Sequence, residues 1–189
     1  MSDLVTFCNK IAKLSELAKE DLLNAQKSKT FKENDIISGA DNNCNNYYFI
    51  EKGLTKICYY AKGKEFIMTF FREQNMFTDL SSFFKRQPSK YILQALELTE
   101  TKYLTKTDID GLCKKHHSFE TIFSKLYSFA SMKMMDRISE MLEENATARY
   151  VNFVKENGDL FQRISLGELA KYLGISQVSL SRIRAKVVF

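Results

Sequence analysis

The sequence predicts an α+β chain: amino-terminal helix, an all-β domain, one long helix, and a carboxy-terminal helix-turn-helix of the winged kind. Three observations carry this. Between Lys29 and Thr107, short apolar or aromatic runs alternate with turn signals at roughly ten-residue spacing. From Ser118 to about Glu144 the chain has neither proline nor glycine, and its apolar residues cover more than one helical stripe. The stretch from Leu166 to Arg184, LGELAKYLGISQVSLSRIR, has the spacing of two helices crossing over a tight turn.

The elements follow in order. Leu4, Phe7, Cys8, Ile11, Leu14, Leu17, Ala18, Leu22 and Leu23 recur at a helical period, and Ser15 before Glu16 predicts a restart into a second short helix. The strand candidates are Phe31, Ile36-Ile37, Tyr47 to Ile50, Leu54 to Tyr60, Phe66 to Phe71 and Tyr91 to Leu104, arranged as a sandwich or barrel. Gly53 and Gly63 bracket one strand, where they would relieve positive φ in the turns. Asp41 to Asn46 is polar and predicts an exposed loop, while Asn75 to Lys85 breaks the strand pattern and predicts a short helix. His116 and His117 are expected at the surface where the long helix starts. Asn145-Ala146-Thr147 reads as a cap and hinge before a helix over Thr147 to Glu156, which Asn157-Gly158 stops. A short strand is expected over Phe161 to Ser165.

In the last segment, counted from Leu166, the apolar residues Leu169, Leu173, Ile175, Leu180 and Ile183 occupy places 4, 8, 10, 15 and 18. Ala170 at place 5 is small enough for a close helix crossing, and Gly174 at place 9 suits a left-handed turn. This register predicts a DNA-reading unit. Ser176 stands at the N-cap of the second helix, its hydroxyl available to first-turn amides or to a phosphate. Leu180 and Ile183 mark the buried side; opposite lie Val178, Ser181, Arg182 and Ala185, with Gln177 at the amino end and Lys186 on a flank. Arginine can grip a guanine, glutamine an adenine, and valine a thymine methyl, so Arg182, then Gln177 and Val178, are the base-contact candidates. Arg184 projects toward the core flank, where a phosphate contact or an internal ion pair is expected.

Composition narrows the function classes. The net charge is +5, and from Ala146 onward seven basic residues stand against three acidic ones, placing +4 in that final stretch. No apolar run has the length of a membrane span and no signal-peptide core opens the chain, so a cytoplasmic location and no membrane partner are expected. Cys8, Cys44, Cys58 and Cys113 are scattered, without a CxxC pair or histidines at metal spacing; reduced thiols and no metal or cofactor are expected. No nucleophile-base pair or phosphate-cradling glycine loop appears, and enzymatic activity is not expected.

Helix, β domain, long helix and helix-turn-helix, in that order, resemble the cyclic-AMP receptor protein and fumarate-nitrate regulator (Crp/Fnr) family across essentially the whole chain. The local matches are Glu51-Lys-Gly-Leu-Thr-Lys-Ile-Cys58, Lys62-Gly-Lys-Glu-Phe-Ile-Met68, and Leu166 to Lys186. The resemblance implies a cyclic-nucleotide-binding-like β-roll over residues 1–110, a long dimerisation helix over 111–145 and a DNA-binding domain over 146–189. It implies a homodimeric transcription regulator on double-stranded DNA, with RNA polymerase and an unidentified small-molecule effector as further partners. A rival reading makes ligand sensing in the β-roll the principal activity, with DNA binding switched on by it. A more remote one is a protein-interaction role with a degenerate helix-turn-helix.

Cyclic-nucleotide-binding members carry a Gly-Glu pair and, eleven residues beyond that glycine, an arginine followed by a small residue. Here the similar stretch reads Phe77-Thr78-Asp79-Leu80, and the arginine place falls at Ser89, before Lys90. Asp79 is one methylene shorter than glutamate, and Lys90 or Arg86 would bring charge without the bidentate geometry of arginine at that place. Tight cyclic-AMP binding is therefore not expected. Thr78, Asp79, Leu80, Ser89 and Lys90 would line the pocket for another ligand, or the segment's own aromatics (Phe70, Phe71, Phe77, Phe83, Phe84) would fill it. Iron-sulfur sensing would need clustered amino-terminal cysteines, and haem sensing a histidine in the β-roll; neither pattern is present. With Phe189 soon after the recognition helix, no long extension is expected to add DNA contacts.

Overall fold

The computed structural model describes residues 3–187, and the expectation about the chain's end at Phe189 lies outside them. Its contacts gather into two units: residues up to 59 together with 69–128, and residues 60–68 together with those from 129 onward.

In the first unit, α1 (Asp3–Ile11) and α2 (Glu16–Ala25) precede the strands. The predicted restart at Ser15 is an N-cap, its hydroxyl accepting from the Ala18 amide at 3.2 Å. The strands are β1 (Lys27–Phe31), β2 (Ile36–Ser38), β3 (Asn46–Lys52), β4 (Thr55–Ala61), β5 (Lys64–Phe71), β6 (Met76–Phe77), β7 (Ile92–Ala95) and β8 (Thr99–Thr105), with α3 (Leu80–Lys85) between β6 and β7. They form two four-stranded sheets, ordered β1-β8-β3-β6 and β2-β7-β4-β5.

Strand β3 shows why the β domain needs its helices. Tyr47, Tyr48, Phe49 and Ile50 are all buried, although successive side chains of a strand point to opposite faces. Tyr48 and Ile50 join Phe31, Ile37, Phe77, Leu93 and Ala95 in the core between the sheets. Tyr47 and Phe49 join Leu4, Leu22, Leu104, Leu112, Phe119 and Ile122 in a second core, where helices cover the outer face.

One of these helices is absent from the sequence reading. Helix α4 (Lys106–Lys115) starts directly from β8, on a capping box in which Thr105 accepts from the Asp108 amide and Asp108 from the Thr105 amide. It ends at His116, and α5 (His117–Glu143) follows. His117 is exposed as expected, but His116 is a correction: its side chain is only 11% exposed and bonds Asp21 of α2 at 2.7 Å. That bond is the main cause holding the Asp21 carboxyl below its ordinary value.

The second unit holds the rest of α5, then α6 (Ala146–Glu156), a 3₁₀ turn over Leu160–Gln162, α7 (Leu166–Leu173) and α8 (Gln177–Lys186). Asn145 caps α6 as expected, accepting from the Thr147 and Ala148 amides. The strand expected over Phe161–Ser165 is not formed. Ile164 instead bonds back to the Leu160 carbonyl at 3.1 Å, and the described residues from 146 on contain no strand that could build a wing.

Gly53, in the turn between β3 and β4, has φ of +115°, and a Cβ there would lie 2.6 Å from the Thr99 Cα and 2.8 Å from the Leu98 carbonyl oxygen. Both strain and backbone collision oppose any side chain. Gly53→Ala should lower unfolding free energy by about 3 kcal/mol in urea titration. Gly63→Ala, with φ of +70° but open space around it, should cost about 1 kcal/mol.

Candidate functional site

The helix-turn-helix, the candidate DNA reader, is assembled by local rules. Ser165 opens α7 with a capping box, its hydroxyl accepting from the Glu168 amide while the Glu168 carboxylate accepts from the Ser165 amide. Gly174 ends the helix at φ of +70°, the left-handed turn its place predicted. Ser176 caps α8: its oxygen accepts from the Ser179 amide at 3.1 Å and lies 2.9 Å from the Ser179 hydroxyl. Of the five apolar places, Leu169, Leu173 and Leu180 are buried, together with Ala170; Ile175 and Ile183 are half-buried.

On the other side of α8, Gln177, Val178, Ser181, Arg182, Ala185 and Lys186 are all exposed, and Val178 reaches 61%. Gln177 folds back toward α7, where a Cβ on Gly167 would meet its Nε2 at 2.6 Å. Arg184 rests on an aromatic ring rather than in an ion pair, its guanidinium 5.5 Å from the centre of the Phe161 ring.

The residues that hold this reader from beneath were not singled out in the sequence. Arg137 of α5 donates to the Tyr172 carbonyl, pairs with Glu140, and lies 4.0 Å from the centre of the Tyr172 ring. Arg149 of α6, buried, donates to the Leu173 carbonyl at 3.1 Å and to the Glu144 carbonyl at 2.5 Å. Lys171 of α7 reaches Glu65, in the β4–β5 hairpin, at 2.6 Å, and that hydrogen bond raises the lysine's pKa. A cleft of about 320 Å³ beside Arg137 carries five acids (Asp136, Glu140, Glu143, Glu144 and Glu156) against the two cations Lys133 and Arg137, and offers little to a phosphate.

The β-roll cassette is closed by its own side chains. Asp79 is buried and caps α3, one carboxylate oxygen accepting from the Ser82 amide at 3.1 Å. Its other oxygen accepts from Ser89, the residue at the arginine place. Thr78, also buried, donates to the Asn46 carbonyl at 2.9 Å and lies 3.3 Å from the Cys44 sulfur. Leu80 and Ser89 are half-buried; Lys90 is exposed, its ammonium 4.4 Å from the centre of the Tyr59 ring. Thus the structure brings Asp79 and Ser89 together but sends Lys90 elsewhere, and among the described residues no cation pairs with Asp79. Nearby, Phe77 stacks on both Tyr48 and Phe71. Phe77 and Phe83 are buried as filling side chains, whereas Phe84 is half-exposed against Tyr127.

Asp79→Ala removes a helix cap and the partner of Ser89, and should cost about 2–3 kcal/mol in chemical denaturation. Asp79→Asn keeps an acceptor for the cap and should cost about 1 kcal/mol. Equal losses in the two variants would contradict this assignment.

Residues 28–116, from β1 to the cap of α4, match the family model of the cyclic nucleotide-binding domain. No curated protein matches the chain by sequence. Among solved structures, the chain is similar to FixK2 from Bradyrhizobium japonicum, at 14% identity over 85% of this chain and 83% of that one, with a TM-score of 0.75. It is similar to CLP, the c-di-GMP responsive global regulator of Xanthomonas campestris, at 15% identity over 91% of each chain and a TM-score of 0.73. A transcriptional regulator of the Crp/Fnr family from Eubacterium rectale gives 15% identity over 92% of this chain and 83% of that one, with a TM-score of 0.73. The resemblance read from the sequence is borne out at the level of the fold: residues 28–116 match the cyclic nucleotide-binding domain, and the chain shares its fold with a regulator of the Crp/Fnr family.

Proposed function

We propose that the chain is a sequence-specific DNA-binding transcription regulator, a non-enzymatic cytoplasmic homodimer that recognises an inverted repeat and acts through RNA polymerase. The observation that carries this reading is α8. Its polar and basic face is fully offered to solvent while Leu180 anchors the opposite side, and it stands on a formed helix-turn-helix. Arg182, Gln177, Val178 and Ser181 would choose bases, with Ser176 and Lys186 on the phosphates.

Dimerisation is supported by α5. Ser131, Met135, Ile138 and Leu142, at alternating steps of four and three, are all exposed, Met135 at 63% and Leu142 at 81%. That is a heptad seam, whose economical partner is a second copy of the same helix. A two-fold pair would favour half-sites about 34 Å apart.

The closed Asp79–Ser89 cassette supports regulation without cyclic AMP, because an anionic phosphate would meet a carboxylate and no arginine. Thr78, Asp79, Leu80 and Ser89 remain the candidate lining for an unidentified effector, with Lys90 joining them only by leaving the Tyr59 ring. The effector-gated reading is the alternative, and the c-di-GMP responsiveness of the Xanthomonas neighbour makes that nucleotide the first to add.

Selection of bound sequences from a random duplex library, with no ligand added, tests the proposal: an inverted repeat supports it. Recovery only with c-di-GMP present would favour the alternative, and recovery under neither condition would sink both. Arg182→Ala should abolish preference for the selected site while leaving salt-sensitive non-specific binding in a gel-shift titration. Lys186→Ala should weaken all sequences alike and reduce the log–log salt slope by about one; an altered base preference would contradict its role.

A further inference from the structure

In a two-fold dimer paired along α5, the distance between the two readers is fixed only if each reader is held rigidly to its own copy of α5. The same turns of α5 carry both functions here. Met135, Ile138 and Leu142 form the exposed seam, while Arg137 and Met141 turn onto the reader. Met141 reaches the turn itself, since a Cβ on Gly174 would lie 3.3 Å from its Cε.

Arg137 makes the stronger tie. The last carbonyls of α7 have no partner within their own helix, and that end carries partial negative charge. Two guanidiniums answer it, Arg137 at the Tyr172 carbonyl and Arg149 at the Leu173 carbonyl. Arg149 is buried and also holds Glu144, so it belongs to the core of α6. Arg137 has a different position. Its side chain is 13% exposed, Glu140 orients one arm, the other arm reaches the carbonyl, and its guanidinium carbon lies 4.0 Å from the centre of the Tyr172 ring. A planar two-armed cation does all three; a lysine ammonium cannot.

We infer that Arg137 is a positioning residue that fixes the reader's orientation on α5, and so determines which half-site spacing the dimer accepts. This rests on the regulator reading, and the experiment separates the two. Half-sites recovered by selection are placed in a set of duplexes whose spacing changes one base pair at a time. Affinities are measured for the full-length protein, Arg137→Lys and Arg137→Ala, alongside dimer mass and melting temperature.

Wild type should prefer one spacing. Arg137→Lys should remain a dimer that melts within a few degrees of wild type, bind a single half-site as wild type does, and lose about tenfold of its spacing preference, the scale of one charge-assisted hydrogen bond. Arg137→Ala should lose at least as much. An unchanged spacing preference in both variants would overturn the inference. So would a preference lost only together with dimer mass or melting temperature in both, which would make Arg137 structural. If wild type itself selected no inverted repeat, the regulator reading would fall and this inference with it.

Discussion

Four consecutive buried side chains on one strand, Tyr47 to Ile50, set the condition that the amino-terminal unit has to meet. A strand apolar on both faces cannot border water, so one face requires an opposing sheet and the other a layer of helices. Tyr48 and Ile50 commit the β2-β7-β4-β5 sheet; Tyr47 and Phe49 commit α1, α2, α4 and the first turns of α5. The long helix therefore begins as part of the core, through Phe119, Ile122 and Phe123, before it presents an unpartnered face further along. Its starting direction is a packing consequence of β3, and its weak overall amphipathicity reflects two faces with different duties.

The reader was legible in the sequence because each of its places answers a local demand. A left-handed turn demands Gly174, an N-terminus demands Ser176, and a close crossing demands Ala170. Each demand reaches only across the few residues of one crossing, so a single sequence carries it. The strand order was less legible. The runs ending at Gly53 and Gly63 were readable, and both glycines adopt positive φ, but the run Tyr91–Leu104 divides into β7 and β8, and β6 lies where the strand pattern was expected to break.

What the sequence concealed depends on distant partners. His116 looked like a surface residue because Asp21, which holds it, lies 95 positions earlier. Helix α4 was hidden by Gly111 in its middle and by a start that follows β8 without a loop, although the Thr105 and Asp108 pair was there to be read as a capping box. The strand expected at Phe161–Ser165 failed because a strand needs a neighbouring ladder, and the described residues around it supply none. Arg137 and Arg149 carry no local signature at all, since an arginine on a helix is ordinarily a solvated charge.

The cassette around Asp79 has its polar groups satisfied from within the β domain. One oxygen of Asp79 caps α3 and the other receives Ser89, so both serve the fold. In a gated regulator, a ligand supplies the free energy that favours one arrangement, about 5.5 kcal/mol for a change from 1:99 to 99:1. A cassette satisfied by its own side chains offers an anion no such difference, since entry would first break a buried hydrogen bond and unseat a helix cap. In the proposed regulator, any bias toward a DNA-binding arrangement would then reside in permanent contacts. For the reader, those contacts are the two guanidiniums at the end of α7 and the glycine turn resting on Met141. In the proposed regulator, activity would be set by how rigidly α7 is held, and only secondarily by what the β domain encloses.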